Sequence, residues 1–150
     1  MWPFKKTHPE IPAEGVSESW TMFQGEYDGK PLIARANVGL KPFIGHPRYS
    51  HQVGVAIPLR TPDENGFPSS DESAELTDIE DNLCSELTSG NESLFAAVIT
   101  TGGMREFVFY TSNPKSVELK LKKIRETVLG HTVQGMIRDD ADWSVYRQFV

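Results

Sequence analysis

Residues 94–110 read LFAAVITTGGMREFVFY, and this stretch decides the fold. Leu94 to Thr100 and Met104 to Tyr110 are rich in β-branched and aromatic residues, as strands are. Thr101-Gly102-Gly103 between them supplies the turn, so the pair reads as a β-hairpin. Working backwards, His51 to Leu59 alternates, with Val53, Val55, Ile57 and Leu59 on one face of a strand. Between that strand and the hairpin, Leu76, Ile79, Leu83 and Leu87 recur at three- and four-residue spacing, which predicts a helix. Working forwards, Val117, Leu121, Ile124 and Val128 form a second helical stripe. Gly130 is placed to end that helix, and His131 to Arg138 reads as a last strand. The order strand, helix, strand, strand, helix, strand predicts an α+β fold, a ferredoxin-like βαββαβ core. That fold hosts many unrelated functions, so it names no activity.

The N-terminal third adds to this core. Trp20 to Tyr27 and Leu32 to Val38 flank Asp28-Gly29-Lys30, a strong hairpin signal. Residues 1–19 hold three prolines and no periodicity and are expected to form an arm, with residues 20–150 a single α+β domain. Met1-Trp2-Pro3-Phe4-Lys5-Lys6 lacks the apolar run of a signal peptide. No stretch approaches the roughly 20 apolar residues of a membrane span. The single cysteine, Cys84, excludes an internal disulfide framework and suits a reducing cytoplasm. A cytoplasmic protein with no membrane contact is expected.

Strand alternation divides the side chains between two faces. Arg105, Phe107 and Phe109 share one face of their strand, and Met104, Glu106, Val108 and Tyr110 the other. In the preceding strand Phe95, Ala97 and Ile99 oppose Leu94, Ala96 and Val98. Both faces of the sheet are therefore apolar, and two helices cover only one. The N-terminal segment is the expected cover for the second face, with a homodimer partner or a ligand as the alternatives.

Charge is distributed unevenly. Residues 61–104 carry ten acids and no Lys or Arg, whereas residues 1–60 and 105–150 each carry a net of +2. Most of the acids lie on the first helix or its approach, and Lys115, Lys120, Lys122, Lys123 and Arg125 make the second helix basic. Either the helices neutralise one another or the acidic one meets a basic protein partner. Glu75, Asp78 and Glu86 are the candidate contacts.

Catalytic patterns are weak. Asp139, Asp140 and Asp142 crowd one turn, but no glycine turn or distal Glu completes a calcium loop. His8, His46, His51 and His131 have no zinc spacing. No nucleophile elbow marks a Ser-His-Asp set. Phe107 and Phe109 could stack bases, yet the RNA-recognition signature is missing and the chain is acidic, so nucleic acid is not expected. No cofactor or metal is implied. The enzymatic alternative is a pocket on the sheet face, lined by Phe95, Phe107 and Phe109. Arg105 would anchor an anionic ligand there, and His46 or His51 would carry a proton.

Asn65-Gly66-Phe67-Pro68, the acidic helix with Glu80 and Leu83, TTGGMREFVFYTSN at 100–113 and Asp142-Trp143-Ser144-Val145-Tyr146 follow one another in this order. With Trp20 and its hairpin, the chain resembles the bacterial domain-of-unknown-function 695 family over about residues 18–150. That family has no established activity to transfer. The second half is also similar to the regulator of ribonuclease activity B, a small acidic ferredoxin-like protein that binds and inhibits the endoribonuclease E. This likeness implies a protein-binding, regulatory role. The added N-terminal hairpin and the basic second helix depart from it. The expectation is a non-enzymatic protein-binding module, with a small-molecule-binding protein or enzyme as the alternative.

Overall fold

The computed structural model describes residues 8–150; the signal-peptide reading of Met1 to Lys6 falls outside them. The chain runs β1 (Trp20–Tyr27), β2 (Lys30–Asn37), β3 (His51–Pro58), α1 (Ser70–Leu87), β4 (Ser93–Thr101), β5 (Met104–Thr111), α2 (Pro114–Thr127), β6 (Gln134–Asp139) and α3 (Ser144–Arg147). The six strands form one antiparallel sheet in the order β1-β2-β4-β5-β3-β6. β1 and β2 meet across Asp28-Gly29, whose φ angles of 52° and 74° both lie in the left-handed region that a tight hairpin turn needs.

Local chemistry sets the helix limits. The Ser69 side chain accepts the backbone N–H of Glu72 and opens α1, and Asn113 does the same for Ser116 in α2, with Pro114 at the first helical position. Leu76, Ile79, Leu83 and Leu87 of α1, with Val117, Leu121 and Ile124 of α2, are all buried. They close over Val53, Val55, Ile57, Phe95, Val98, Phe107 and Phe109 of the sheet. α2 ends at Thr127, three residues before Gly130, where Val128 turns extended.

Phe95 and Val98 share that face because β4 contains a bulge. Phe95 pairs with Phe109 but Ala97 pairs with Val108, so Ala96 is the extra residue. The bulge reverses the alternation. It moves Val98 under the helices and leaves Ala97 and Ile99 on the opposite side from Phe95. Strict alternation across β4 is thereby corrected.

The second face carries its own core of Leu94, Ala96, Ala97, Val108 and Tyr110. The β1–β2 pair does not cover it: these strands extend the sheet beside β4, because their backbone groups are satisfied edge to edge. Two irregular segments do the covering. Val38–Tyr49 folds into two 3₁₀ turns that press Leu40, Phe43 and Tyr49 onto the face. The C-terminal segment adds Trp143, Val145 and Tyr146. Ile11 and Val16 of the arm pack at its margin.

Candidate binding surface

The sequence candidates lie in separate places. Glu75 and Asp78 are exposed on α1 and share a shallow cleft with Asn82, Leu129 and His131. Glu75 is paired with the Arg60 guanidinium. Glu86, further along α1, sits 4.0 Å from Lys123 Nζ. Arg105 lies half-buried on the helix-covered side and donates from Nε to Thr100 Oγ1 at 2.9 Å. Burial, helped by the Arg35 charge, lowers its pKa. Phe107 and Phe109 are fully enclosed by α1 and α2 and border no opening; a ligand pocket lined by them is corrected, because the helices occupy that space. His46 lies on the opposite side of the sheet, where Nδ1 accepts the Arg48 N–H and caps the turn Pro47–Tyr49. Burial first, then the charges of His8 and Arg48, lower its pKa. The sheet therefore separates His46 from Arg105, and they form no joint site.

Other chemical groups are absorbed into structure. Asp140 accepts from Ser144 N and Oγ at 2.8 Å and from Tyr110 OH at 2.8 Å, so it caps α3 and buttresses the second core. Burial alone would raise its pKa, but these donors outweigh it and hold the carboxyl below its ordinary value. Asp139 pairs with His51. No cluster of three or more His, Cys, Asp or Glu side chains among the described residues could hold a metal ion. The Cys84 thiol is pushed up to about 12 by burial and by Glu80, Glu18 and Asp81, which makes it a poor nucleophile.

One group that sequence reasoning missed is the buried pair Glu72–His131. Glu72 Oε2 lies 2.7 Å from His131 Nε2 and also accepts the Arg60 backbone N–H at 2.7 Å, while Oε1 accepts Thr61 N–H at 3.2 Å. Both side chains are at most 2% exposed. Burial opposes the charge on Glu72, yet these donors keep its pKa below the ordinary carboxylate value. The pair ties the start of α1 to the ends of β3 and α2. The two side chains are enclosed, with His131 backing the cleft that Glu75 and Asp78 border.

One opening lies on the second face. Val38–Tyr49 and Trp143–Phe149 cover the end of the sheet bearing Leu94 and Tyr110, and the end near Gly102 stays open. A groove of about 300 Å³ lies there, floored by Leu32, Ile99, Met104 and Glu106 and walled by Tyr27, Arg138 and Phe149. Tyr27 is 67% exposed, and Met136, on the same face, 54%. Glu106 stands between Ile99 and Ala56 on the neighbouring strands. A Cβ on Gly54 would come within 3.3 Å of the Glu106 carboxyl carbon, so that glycine makes room for it. Burial raises the Glu106 pKa, with Arg138 opposing. Among the described residues no side chain or backbone group donates a hydrogen bond to this carboxylate. The sequence signal was an acid centred in the row Met104, Glu106, Val108, Tyr110.

The family model described as a family of unknown function, DUF695, matches residues 18–150. The chain belongs to DUF695. No curated protein and no solved structure matches it. In this DUF695 chain no helix among the described residues is long and apolar enough to cross a membrane. What distinguishes its surface is the groove: half of an apolar sheet face left open, with a half-buried acid at its centre.

Proposed function

We propose that this DUF695 chain is a non-enzymatic binding module whose protein partner seats in the groove around Glu106. The order β4-β5-β3-β6 supports a ferredoxin-like reading of this part of the sheet, a fold in which one sheet face stays free of the two helices. The carrying observation is the Glu106 carboxylate, set among Leu32, Ile99 and Met104 without a hydrogen-bond donor. A partner that supplies an apolar side chain to the groove and a Lys or Arg to Glu106 satisfies both needs at once, since a buried acid is stable when paired. The resemblance to a ribonuclease regulator read from the acidic helix, the Thr-Gly hairpin and the aromatic strand is in keeping with this class, and we propose it only as a likeness of class. The anionic-ligand reading loses its support, because Arg105 is engaged by Thr100 and the rings proposed beside it are enclosed.

Peptide display tests the proposal. Binders selected on the wild-type protein are expected to place an aromatic or aliphatic residue close to a Lys or Arg. Ile99→Asp should abolish their binding. Glu106→Gln should weaken it roughly tenfold or more, the worth of a charge-assisted hydrogen bond. Asp78→Asn, on the opposite side of the sheet, should leave it unchanged. Binders that accept Ile99→Asp as well as the wild type would refute the groove as the docking site.

A further inference from the structure

We infer that β1 is a self-association edge, and that two copies of this chain join through it about a two-fold axis perpendicular to the sheet. β1 pairs with β2 along all eight of its residues without a bulge, and among the described strands nothing pairs with its other side. The Val38 N–H donates to the Ser19 C=O at 2.7 Å, which sets the phase of the ladder. Odd-numbered residues of β1 therefore turn their backbone groups toward β2. Trp20, Met22, Gln24 and Glu26 turn theirs outward.

Natural sheets guard such edges with Lys, Pro, bulges or short strands. The opposite edge, β6, is shorter and carries Gly135, Arg138 and Asp139. β1 (WTMFQGEY) has no Lys, Arg or Pro and a single charge, Glu26. It also exposes Met22 at 64%, Phe23 at 40% and Tyr27 at 67%. The described part of the arm does not shield it, since His8 bonds Ile44 and the Pro12 and Ala13 carbonyls accept from Asn91 elsewhere on the molecule.

The occupant fitted by these features is a second copy in antiparallel register. With Phe23 opposite the partner copy's Phe23, Met22 meets Gln24 and Trp20 meets Glu26. Four outward pairs each exchange two bonds, giving about eight hydrogen bonds. Phe23 then falls at a non-hydrogen-bonded position, where opposed side chains approach most closely, and its ring already packs edge-on against Phe149 at 5.4 Å. Two Phe23 and two Phe149 rings would form one aromatic cluster across the axis. Each copy's lone charge, Glu26, faces a neutral Trp20, so the two acids sit at opposite ends of the seam; a parallel pairing would set them together. The result is a continuous sheet of twelve strands, two sixes joined. The two grooves would open on its same side. This inference is independent of the groove's occupant.

Sedimentation equilibrium of the full chain, from about 1 to about 200 μM, measures the association. The expected result is a species of twice the 16.8 kDa monomer mass that dissociates on dilution. Met22→Lys should raise the dissociation constant roughly tenfold or more, because each copy then carries a guarding lysine on its edge and the two lysines face each other diagonally across the axis. As an exposed change it should leave the melting temperature of the monomer within about 3 °C. In a Cys84→Ser background, Phe23→Cys should oxidise to a disulfide-linked dimer, and Gln24→Cys should not. A wild type that stays monomeric throughout, a dimer indifferent to Met22→Lys, or crosslinking through Gln24→Cys in preference to Phe23→Cys would each overturn the proposal.

Discussion

Replacing Trp143 with alanine removes the largest buried side chain of the second core. The indole is fully enclosed, stacks on Tyr110 with ring centres 4.3 Å apart and planes at 10°, and meets Tyr146 edge-on at 5.6 Å. Its Nε1–H donates to the Tyr49 carbonyl at 2.8 Å, joining the C-terminal segment to the 3₁₀ turns. Truncating a buried aromatic of this size costs about 3–5 kcal/mol. Orphaning the Tyr49 carbonyl, worth roughly 1–3 kcal/mol, is part of that loss and favours its upper half. For a chain of this length each kcal/mol corresponds to about 2–4 °C, so the melting temperature should fall by roughly 6–20 °C. Trp143→Phe keeps a ring on Tyr110 but loses the donor, and should cost about 1–3 kcal/mol. Guanidinium unfolding followed by far-ultraviolet circular dichroism measures both without relying on the indole's own fluorescence. An alanine variant within about 1 kcal/mol of the wild type would refute the reasoning. So would a phenylalanine variant as damaged as the alanine one, since stacking would then contribute nothing.

Arg105→Met should lose roughly 0.5–1.5 kcal/mol, the worth of its bond to Thr100; a gain in melting temperature, or a wild type stabilised by sulfate or phosphate in the same thermal scan, would return Arg105 to a ligand-binding role. Glu72 has a folded pKa below its unfolded value, so its contribution is complete above the ordinary carboxylate range and is lost as pH falls through the folded pKa. Glu72→Gln should therefore destabilise the protein at neutral pH and flatten the acid limb of a plot of urea midpoint against pH; parallel limbs in wild type and variant would show that the pair with His131 contributes nothing to acid sensitivity.

Periodicity made the helix-covered layer legible. The stripes Leu76-Ile79-Leu83-Leu87 and Val117-Leu121-Ile124 are its helix faces, and Val53-Val55-Ile57 its central strand. β4 broke the pattern because the bulge falls at Ala96, one of two adjacent alanines, and nothing in LFAAVIT marks which residue is extra. The second cover was hidden for another reason. GLKPFIGHPRY has the prolines and glycines of a solvated loop, yet Leu40, Phe43 and Tyr49 within it are buried. Aromatic and aliphatic residues inside a turn-rich segment were the available signal, as they were for Trp143 and Tyr146. The Glu72–His131 pair had none: its members stand 59 positions apart and meet only once both helices are docked.

The charge pattern shows why the groove is the better candidate for a partner than the acidic helix. In sequence α1 and its approach look like an uncompensated field, but the fold brings cations to it from three other places. Arg35 of β2 pairs with Glu80, Arg60 with Glu75, and Lys123 of α2 approaches Glu86, while Glu72 is hydrogen-bonded to His131. Asp71, Asp78 and Asp81 remain exposed on α1 without an ion pair among the described residues. Exposed charges of this kind contribute little each and are screened over about 8–10 Å at physiological ionic strength. Glu106 differs in kind. It is half-buried on the groove floor among apolar side chains, so a cation delivered to it gains more than one delivered to the exposed acids on α1. An apolar residue accompanying that cation also finds Leu32 and Ile99 beside it. Selectivity for a partner follows from requiring both at once, which a band of screened surface acids does not impose.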